Sequence, residues 1–366
     1  GQHDLKRLLA YHSVENIGII LIGLGVAMIG RAVGDPIVVA LGLAGALLHV
    51  WNHGLFKALL FLCAGSVVHA TDTREMDALG GLAKSMRRTA VAFLVGSIAI
   101  CGLPPFNGFV SELLVYLGLF RATLLNDGAA SVAGSFGVPA LALIGALALA
   151  CFAKVFGVVF LGVPRSDRAA RAKEAGPAMT LPMLVLGLAC AFIGIAPVAA
   201  VPALEHATAV WAPDVRLASL ESLAPLRMMT VTGAALALVV ATGVWLFARS
   251  RRLHAQGSGP TWDCGYAAPS NRMQYTSSSF ADMLVSLFAW ALRPRATAIR
   301  LGALFPPAAR FHSEVPDTVL DRAIYPASRA VARALVWFRW FQRGNVQLYL
   351  LYVVATLILT VLFFHG

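Results

Sequence analysis

Charged residues are scarce in this chain of 366 residues: they make up 13% of it, whereas 58% is hydrophobic. Soluble globular domains carry about 25% charged residues. The composition therefore excludes that class and indicates a polytopic protein embedded in the lipid bilayer. The formal net charge of +11 does not predict a nucleic-acid partner, because the cations lie in loops between apolar segments, where membrane topology accounts for them.

Paired cysteines and nucleotide-binding motifs are also missing. The five cysteines show no CxxC or paired spacing, so we expect neither a disulfide framework nor a metal site. The chain has no GxGxxG, no P-loop and no nucleophile beside a base. We therefore expect no cofactor on this chain and no bond chemistry of its own. The cysteines are Cys63, Cys101, Cys151, Cys190 and Cys264.

The start of the chain has no initiating methionine and no signal peptide. From Gly1, a charged turn with His3, Asp4, Lys6 and Arg7 leads directly into an apolar segment. This pattern is typical of the interior of a longer protein, and we expect a front half to precede Gly1.

Long apolar segments recur along the chain. About 20 predominantly apolar residues are needed for a helix to cross a bilayer, and seven segments qualify. They predict an all-α, polytopic membrane helix bundle of about seven transmembrane helices. The segments are approximately Val14–Gly30, Pro36–Val68, Ala90–Phe120, Val138–Gly162, Leu181–Val201, Met228–Ala248 and Val346–Phe364.

The third segment contains a helix-breaking run, Gly-Leu-Pro-Pro-Phe-Asn-Gly, at residues 102–108. Pro104 and Pro105 remove two backbone donors and clash with the preceding turn, and Gly108 closes the run. A break at membrane depth is tolerated only where it is packed in protein or lines a wet cavity. The sequence therefore predicts one proline-broken helix.

Basic residues alternate from loop to loop in a way that tests the helix count. Under a seven-helix count every loop rich in lysine and arginine falls on one side, which the positive-inside rule places in the cytoplasm. The start of the chain is then cytoplasmic and Gly366 lies outside. The rich loops contain Lys6 and Arg7; Arg74, Lys84, Arg87 and Arg88; Arg165, Arg168, Arg171 and Lys173; and Arg249, Arg251 and Arg252.

The composition changes between the sixth and seventh segments. Residues 256–260 read as a linker, and residues 261–266 form a compact patch of polar and aromatic residues. From Val315 to Arg343, apolar residues alternate with arginines at near-helical spacing. This predicts an amphipathic helix lying laterally along the cytoplasmic interface, or else an ordinary packed helix of a small cytoplasmic domain.

Three titratable residues, His49, His53 and Lys57, are spaced four residues apart within the second apolar segment. Residues at i, i+4 and i+8 share one face of a helix, and ionisable groups in membrane helices usually face the bundle interior. We favour a proton relay, because imidazole titrates near neutral pH. The alternatives are a metal site, which lacks a nearby carboxylate or cysteine to complete it, and a structural role.

Three further ionisable residues lie in apolar segments. Glu15 is either functional or a carboxylate favoured by a helix N-terminus. Glu112 follows the break, where its ionisation would depend on a neighbour such as Lys57; it is a relay group, a cap of the second half-helix, or both. Lys154 is a third candidate, unless it snorkels toward the basic loop at Arg165.

Several stretches resemble one superfamily, the antiporter-like proton-pumping subunits of respiratory complex I, Mrp antiporters and membrane-bound hydrogenases. They are DLKRLLAYHSVENIG from Asp4, HVWNHGLFKALLFLCAG from His49 and ICGLPPFNGFVSELLVYLGL from Ile100. ENIGI, CFAKVFGVVFLG and TWDCGYAAPSNRMQYTSSSFA resemble the branch of hydrogenase-4 component B and formate hydrogenlyase subunit 3. The resemblance extends over essentially the whole chain.

The resemblance implies an ion-translocating subunit built from two inverted half-channels. His49, His53 and Lys57 match the central polar axis of the family, and Glu112 matches the acid or lysine of its broken helix. The first repeat, with another glutamate–lysine pair, is expected to be missing, so this chain alone should not pump. The implied domains are a second half-channel (1–202), an additional transmembrane helix (203–248), a cytoplasmic loop with the lateral helix (249–345) and an anchor helix (346–366).

The function implied is proton translocation in a hydrogenase-4 or formate-hydrogenlyase type of complex in the bacterial inner membrane. Expected partners are other membrane subunits and cytoplasmic subunits of the NiFe-hydrogenase and iron–sulfur kinds, whose redox energy would drive the proton steps. The alternatives are a cation/proton antiporter subunit of the Mrp type, an antiporter-like subunit of an NADH–quinone oxidoreductase, and a subunit in which the charges only hold helices together.

Overall fold

The computed structural model describes residues 2–213, 219–253, 273–296, 313–315, 317, 319–341, 344 and 346–364. It divides into two compact units, Gly1–Asp282 and Met283–Gly366, which we describe separately. Within the described residues, the regular secondary structure is helical except for one pair of two-residue strands. The predicted all-α class is therefore confirmed.

The first two helices form a hairpin. Helix α1 spans Leu5–Val33 and α2 spans Pro36–Thr71. Between them, Gly34 has a φ of 74°, which suits glycine, and the Asp35 side chain accepts hydrogen bonds from two backbone N–H groups of the first turn of α2. The prediction that the first helix starts at Val14 is wrong. Asp4 caps α1, which begins at Leu5, and the Leu5 side chain is buried in the core.

The predicted broken helix is confirmed as two helices, α3 (Arg87–Ile100) and α4 (Asn107–Thr123). Two short 3-10 turns, Met76–Ala78 and Leu82–Lys84, precede α3. In the break, Gly102 has a φ of 60° and the Pro104–Pro105 peptide is cis.

Gly108 lies inside α4 and does not form part of the break itself. A Cβ added there would be 1.9 Å from the carbonyl oxygen of Ala99. The residue is therefore needed because α4 starts in direct contact with the end of α3.

The rest of the first unit continues as helices connected by short turns. Helix α5 starts at Gly128, earlier than the predicted Val138, because Asp127 caps it. A short 3-10 turn, Pro197–Ala200, is followed by α8 (Val201–Trp211). The sequence analysis did not predict α8. The helices are α5 (Gly128–Phe160), α6 (Asp167–Arg171), α7 (Pro177–Ile195), α8 (Val201–Trp211), α9 (Leu220–Leu223) and α10 (Leu226–Leu253).

Among the described residues, six helices are long and apolar enough to cross a membrane. With the broken pair α3–α4, whose halves are 14 and 17 residues long, they correspond one by one to the seven predicted segments. The six are Leu5–Val33, Pro36–Thr71, Gly128–Phe160, Pro177–Ile195, Leu226–Ser250 and Val346–Phe363.

The core of the first unit is built around α2. One side of α2 buries Phe56, Leu59 and Leu60 in a cluster that includes Phe93 of α3 and Phe152 of α5. Large apolar side chains remain exposed on the outer faces of the helices. Exposed apolar faces of this extent suit a lipid environment.

The basic loops gather at one end of this unit. The Leu5 N–H donates to the Arg74 carbonyl oxygen at 2.9 Å, and Arg165, after α5, donates to the Leu79 carbonyl oxygen at 3.0 Å. At the opposite end, Arg121 forms an ion pair with Asp35 at 3.2 Å. Thus three of the four loops predicted to share a side, those before α1, between α2 and α3, and after α5, lie together in the structure.

A further helix, α11 (Ser277–Leu287), precedes the elements of the second unit. Strands β1 (Arg295–Ala296) and β2 (Ser313–Glu314) pair in antiparallel fashion. They lie after α12 (Ala289–Leu292), and α14 (Val346–Phe364) ends the described chain.

The predicted amphipathic helix is present where it is described. A π-helical turn, Leu320–Ile324, continues into α13 (Tyr325–Val336) and a 3-10 turn, Trp337–Phe341. Its lateral position stays a prediction, as do the domain boundaries. The linker at 256–260, the patch at 261–266 and Cys264 lie outside the described residues.

Candidate functional site

A polar network connects α1, α2 and α4 inside the first unit. His49 Nε2 lies 3.1 Å from Asn16 Oδ1, and His49 Nδ1 lies 2.9 Å from Ser111 Oγ. All three residues are fully buried. The network therefore connects α1 to α4, the helix that follows the break, through one face of α2.

The network extends through two asparagines. Asn52 Nδ2 donates to the Asn107 carbonyl oxygen at 2.7 Å and to Ser111 Oγ at 3.0 Å, while Asn107 Nδ2 donates to Asn52 Oδ1 at 3.1 Å. Sequence reasoning missed Asn16, Asn52, Asn107 and Ser111. The available signal was Asn52, which lies one turn after His49 in an apolar segment.

The hydrogen-bond pattern fixes the tautomer of a neutral His49. The amide nitrogen of Asn16 donates to the His12 carbonyl oxygen at 2.7 Å, so the Asn16 side-chain oxygen faces His49 and requires a proton on Nε2. His49 Nδ1 then accepts from the Ser111 hydroxyl. The Ser111 hydroxyl can instead donate to the Gly108 carbonyl oxygen at 3.0 Å. If His49 gained a proton on Nδ1, the new N–H would therefore still have the Ser111 oxygen as its acceptor.

The three titratable residues of α2 have different surroundings. His53 is half-buried, and its enclosed Nε2 has no hydrogen-bond partner among the described residues. Its ring centroid is 5.8 Å from that of Phe56, whose ring also lies 6.2 Å from His49. Lys57 is buried; its Nζ donates to the Leu9 carbonyl oxygen and lies 5.6 Å from the Phe61 ring centroid.

These surroundings argue against the metal alternative for the α2 stripe. Both ring nitrogens of His49 are hydrogen-bonded, so this residue cannot bind a metal without losing one of those bonds. The Lys57 amine beside the pair would also repel a cation.

Glu15 lies about three turns inside α1. The influence of a helix dipole is confined to the first turn, so the interpretation of Glu15 as an N-terminal carboxylate is wrong. Its Oε2 is 2.5 Å from Nδ1 of the buried His12.

Glu112 is buried in the second turn of α4. The N-cap position is Phe106 and no side chain caps it, so the prediction that Glu112 caps this helix is wrong. Its carboxylate lies against Gly102, where an added Cβ would be 2.5 Å from Oε2. The side chain also lines a cavity of about 330 Å³ with Cys101 and Tyr116. The break therefore provides both the space for the acid and its access to the cavity.

Lys154 is buried in α5, and its Nζ donates to the Gln2 carbonyl oxygen at 3.3 Å. The amine thus points toward the end of the bundle where the basic loops gather, as the snorkelling interpretation expects. It is nevertheless enclosed, and it lies within electrostatic range of Cys151 and Asp77.

Outside the membrane helices, His3 and two acids of the loop at 72–84 form a separate polar cluster. His3, Glu75 and Asp77 each place one ligand atom within 4.8 Å of the others. Burial raises the pKa of Glu75. Burial also opposes ionisation of Asp77, but His3, the Ser277 N–H and Arg165 outweigh it and hold the pKa of this carboxyl below its usual value.

Residues 1–137, which contain α1–α4 and the whole polar network, match the profile of the family described as "NADH:quinone oxidoreductase/Mrp antiporter, TM". Residues 1–137 therefore form a membrane domain of this family, and the predicted multi-pass membrane location is confirmed. This is the class that the sequence resemblance predicted.

Two curated relatives lie within the predicted branch. The chain is 36% identical to hydrogenase-4 component B of Escherichia coli (strain K12) over 371 residues, with 98% of this chain and 55% of that protein covered. It is 38% identical over 296 residues to formate hydrogenlyase subunit 3 of the same organism, with coverages of 80% and 47%. The chain spans about half the length of these relatives.

The fold also resembles a solved structure, that of the membrane-bound sulfane sulfur reductase, described as an archaeal respiratory membrane complex. The TM-score is 0.61 at 22% identity, with 98% of this chain and 52% of that chain covered. At this identity the similarity concerns the fold alone.

Proposed function

We propose that this chain is the proton-translocating part of a membrane subunit in a redox-driven complex of the hydrogenase-4 or formate-hydrogenlyase type. One observation carries the proposal: a buried line of titratable and hydroxyl or amide groups joins α1, α2 and the broken helix. An ionisable group at the centre of a membrane helix costs roughly 2.5–3.5 kcal/mol even on lenient scales. Several such groups in contact indicate a function.

Proton movement in this arrangement would depend on exchange between paired charges. Glu15 lies against His12 on α1, the Lys57 amine donates to the Leu9 carbonyl oxygen of the same helix, and Glu112 lines the cavity at the break. Ionisable groups within one buried network change one another's proton affinity, so a proton arriving at one group would favour movement of a proton at the next. His53, whose Nε2 has no described partner, would carry protons along α2 between Lys57 and His49.

The driving energy would come from partner subunits. The relatives named above belong by name to hydrogenase-4 and formate hydrogenlyase, so we propose cytoplasmic partners of the NiFe-hydrogenase and iron–sulfur kinds, together with further membrane subunits. This chain would hold no cofactor. We place it in the bacterial inner membrane with the basic-loop end cytoplasmic, which puts the chain start inside and Gly366 outside.

The test uses the full-length subunit in its complex, in sealed vesicles, with electron flow and proton transfer measured together. Lys57→Ala and Glu112→Gln are compared with wild type, and assembly is checked by the subunit composition of the purified complex. The matched controls are Lys84→Ala and Glu221→Gln, at residues outside the network.

We expect proton transfer per electron to fall by about tenfold or more in both network variants, or electron flow to stall with it, while the complex stays intact. The controls should match wild type. If both network variants assemble and transfer protons at the wild-type ratio, the charges are structural and the proposal is wrong.

A second candidate is cation/proton antiport, because the matching family profile also describes Mrp antiporters. Hard cations are held by oxygen ligands, whereas the centre of this network presents imidazole nitrogens and an ammonium group. Proton transfer is therefore the better-supported chemistry. If transport by the complex required sodium and continued without electron flow, antiport would be the correct function.

A further inference from the structure

His12 is a buried titratable residue that the sequence analysis did not single out as a site. It lies on α1 one turn before Glu15, and its Nδ1 is 2.5 Å from Glu15 Oε2. The His12 backbone carbonyl accepts the amide of Asn16, so the same turn of α1 also holds the partner of His49. The imidazole is therefore fixed at the junction between the polar network and the Glu15 carboxylate.

The other side of His12 faces α5. Its ring packs 4.7 Å, centroid to centroid, from the ring of Phe152, the residue that directly follows Cys151 in α5. Lys154 lies three residues after Cys151, on the same face of α5. The Lys154 amine in turn reaches the Gln2 carbonyl oxygen at the basic-loop end.

We propose that His12 is a proton-transfer residue that connects Glu15 to a branch through Cys151 and Lys154, which opens at the basic-loop end of the bundle. The inference rests on the proposed function and adds an access route that the stripe on α2 does not provide. The titratable residues on the elements around this junction are Glu15 on α1, Lys57 on α2, Cys101 at the break, and Cys151 and Lys154 on α5.

The step is a transfer of one proton with no change of oxidation state. A neutral His12 with its proton on Nδ1 passes that proton to the Glu15 carboxylate at Oε2, while Nε2 takes the proton of the Cys151 thiol, so the ring stays neutral and changes tautomer. The Cys151 thiolate regains a proton from the Lys154 ammonium, and the resulting neutral amine is reprotonated from the basic-loop end. Because imidazole has two nitrogens, it can receive a proton on one side and release one on the other.

Apolar packing between α1 and α5 does not require the polar side chains of His12, Cys151 and Lys154. A histidine on a membrane helix must bury a polar ring, and this ring lies 2.5 Å from a carboxylate oxygen and packs against the residue next to Cys151. The buried lysine is placed so that it continues the same line. In a purely structural helix contact, by contrast, a phenylalanine at position 12 would pack against Phe152 with no polar group to satisfy.

The experiment uses the assembled complex with the full-length subunit in sealed vesicles. His12→Gln keeps a hydrogen-bonding side chain of similar size but cannot carry the proton. We expect it to slow proton transfer by about a hundredfold with assembly unchanged. His69→Gln, at the exposed end of α2, is the matched control and should behave like wild type.

Two further variants separate proton transfer from structure. In His12→Ala, added imidazole should restore at least part of the rate, which a packing defect would not allow. Cys151→Ala removes only the thiol and should slow transfer as well. If His12→Gln fails to assemble, Cys151→Ala still decides: a wild-type rate in this variant would overturn the branch.

The outcome also separates this inference from the proposed function. If Lys57→Ala loses proton transfer while His12→Gln and Cys151→Ala keep the wild-type rate, the branch is wrong and the function stands. If none of these variants changes proton transfer, the inference and the proposed function both fail.

Discussion

The contact between the two halves of the broken helix can be tested by a single methyl group at Gly108. A Cβ at this position would lie 1.9 Å from the carbonyl oxygen of Ala99, a backbone atom, whereas real Cβ contacts below 3.0 Å are essentially never seen. In Gly108→Ala the start of α4 must therefore move away from the end of α3 by about 1 Å.

The cost of this displacement can be worked out from the contacts of α4. Overpacking of this kind typically costs about 1–3 kcal/mol. The displacement also stretches the Ser111–His49 and Asn107–Asn52 hydrogen bonds, which are 2.9 and 3.1 Å long and each worth about 1 kcal/mol net. We expect the free energy of unfolding to fall by about 3–5 kcal/mol, and proton transfer to fall because His49 loses its hydroxyl partner.

Both quantities are measurable in the full-length subunit. The free energy of unfolding is measured in detergent by denaturant titration, and proton transfer in vesicles of the assembled complex. Gly65→Ala is the control, because its Cβ would meet nothing within 4 Å and alanine favours a helix by about 1 kcal/mol. If Gly108→Ala stays within about 0.5 kcal/mol of wild type, the close approach of the two half-helices is wrong.

Two further changes have defined outcomes. Asn52→Ala leaves the buried Asn107 amide unpaired, which should cost about 1–3 kcal/mol of unfolding free energy and speed hydrogen exchange at the start of α4; unchanged exchange would contradict the network. Asp77→Asn should loosen the docking of Ser277, whose N–H donates to Asp77 at 2.6 Å, as seen by faster exchange at 273–282. Because the folded pKa of Asp77 is lowered, the stabilisation by Asp77 is present above about pH 4 and is lost as the pH falls further. The exchange rates of wild type and variant should therefore converge in acid. A difference in exchange that persists there would contradict the role of the Asp77 carboxylate.

The spacing of His49, His53 and Lys57 was sufficient to place them on one helix face, because helical periodicity depends on a single element. Their individual roles were not predictable in the same way. His49 has both nitrogens bonded to residues 33 and 62 positions away in the sequence, whereas the enclosed nitrogen of His53 has no partner among the described residues. These differences come from the packing of α1 and α4 against α2, which a single-helix pattern does not contain.

The start of α1 was misplaced for a related reason. Hydropathy reports apolar runs, and the turns from Leu5 to Ser13 are interrupted by Lys6, Arg7, His12 and Ser13, of which only His12 is buried. The Asp4 cap was the local signal that a helix begins there. Once α1 is extended, Glu15 moves from the first turn to the helix interior, and its interpretation changes from a dipole partner to a half-buried carboxylate beside His12.

The break explains how the Glu112 side chain is held. The sequence analysis expected the ionisation of Glu112 to depend on a neighbour such as Lys57, which lies on a different helix. In the structure the Lys57 amine donates to the Leu9 carbonyl oxygen of α1, whereas the Glu112 carboxylate lies against Gly102, where an added Cβ would be 2.5 Å from Oε2. Gly102 also has a φ of 60°, which favours a residue without a Cβ. The same glycine therefore turns the chain at the break and leaves the space that the carboxylate occupies, so the position of the acid requires the break.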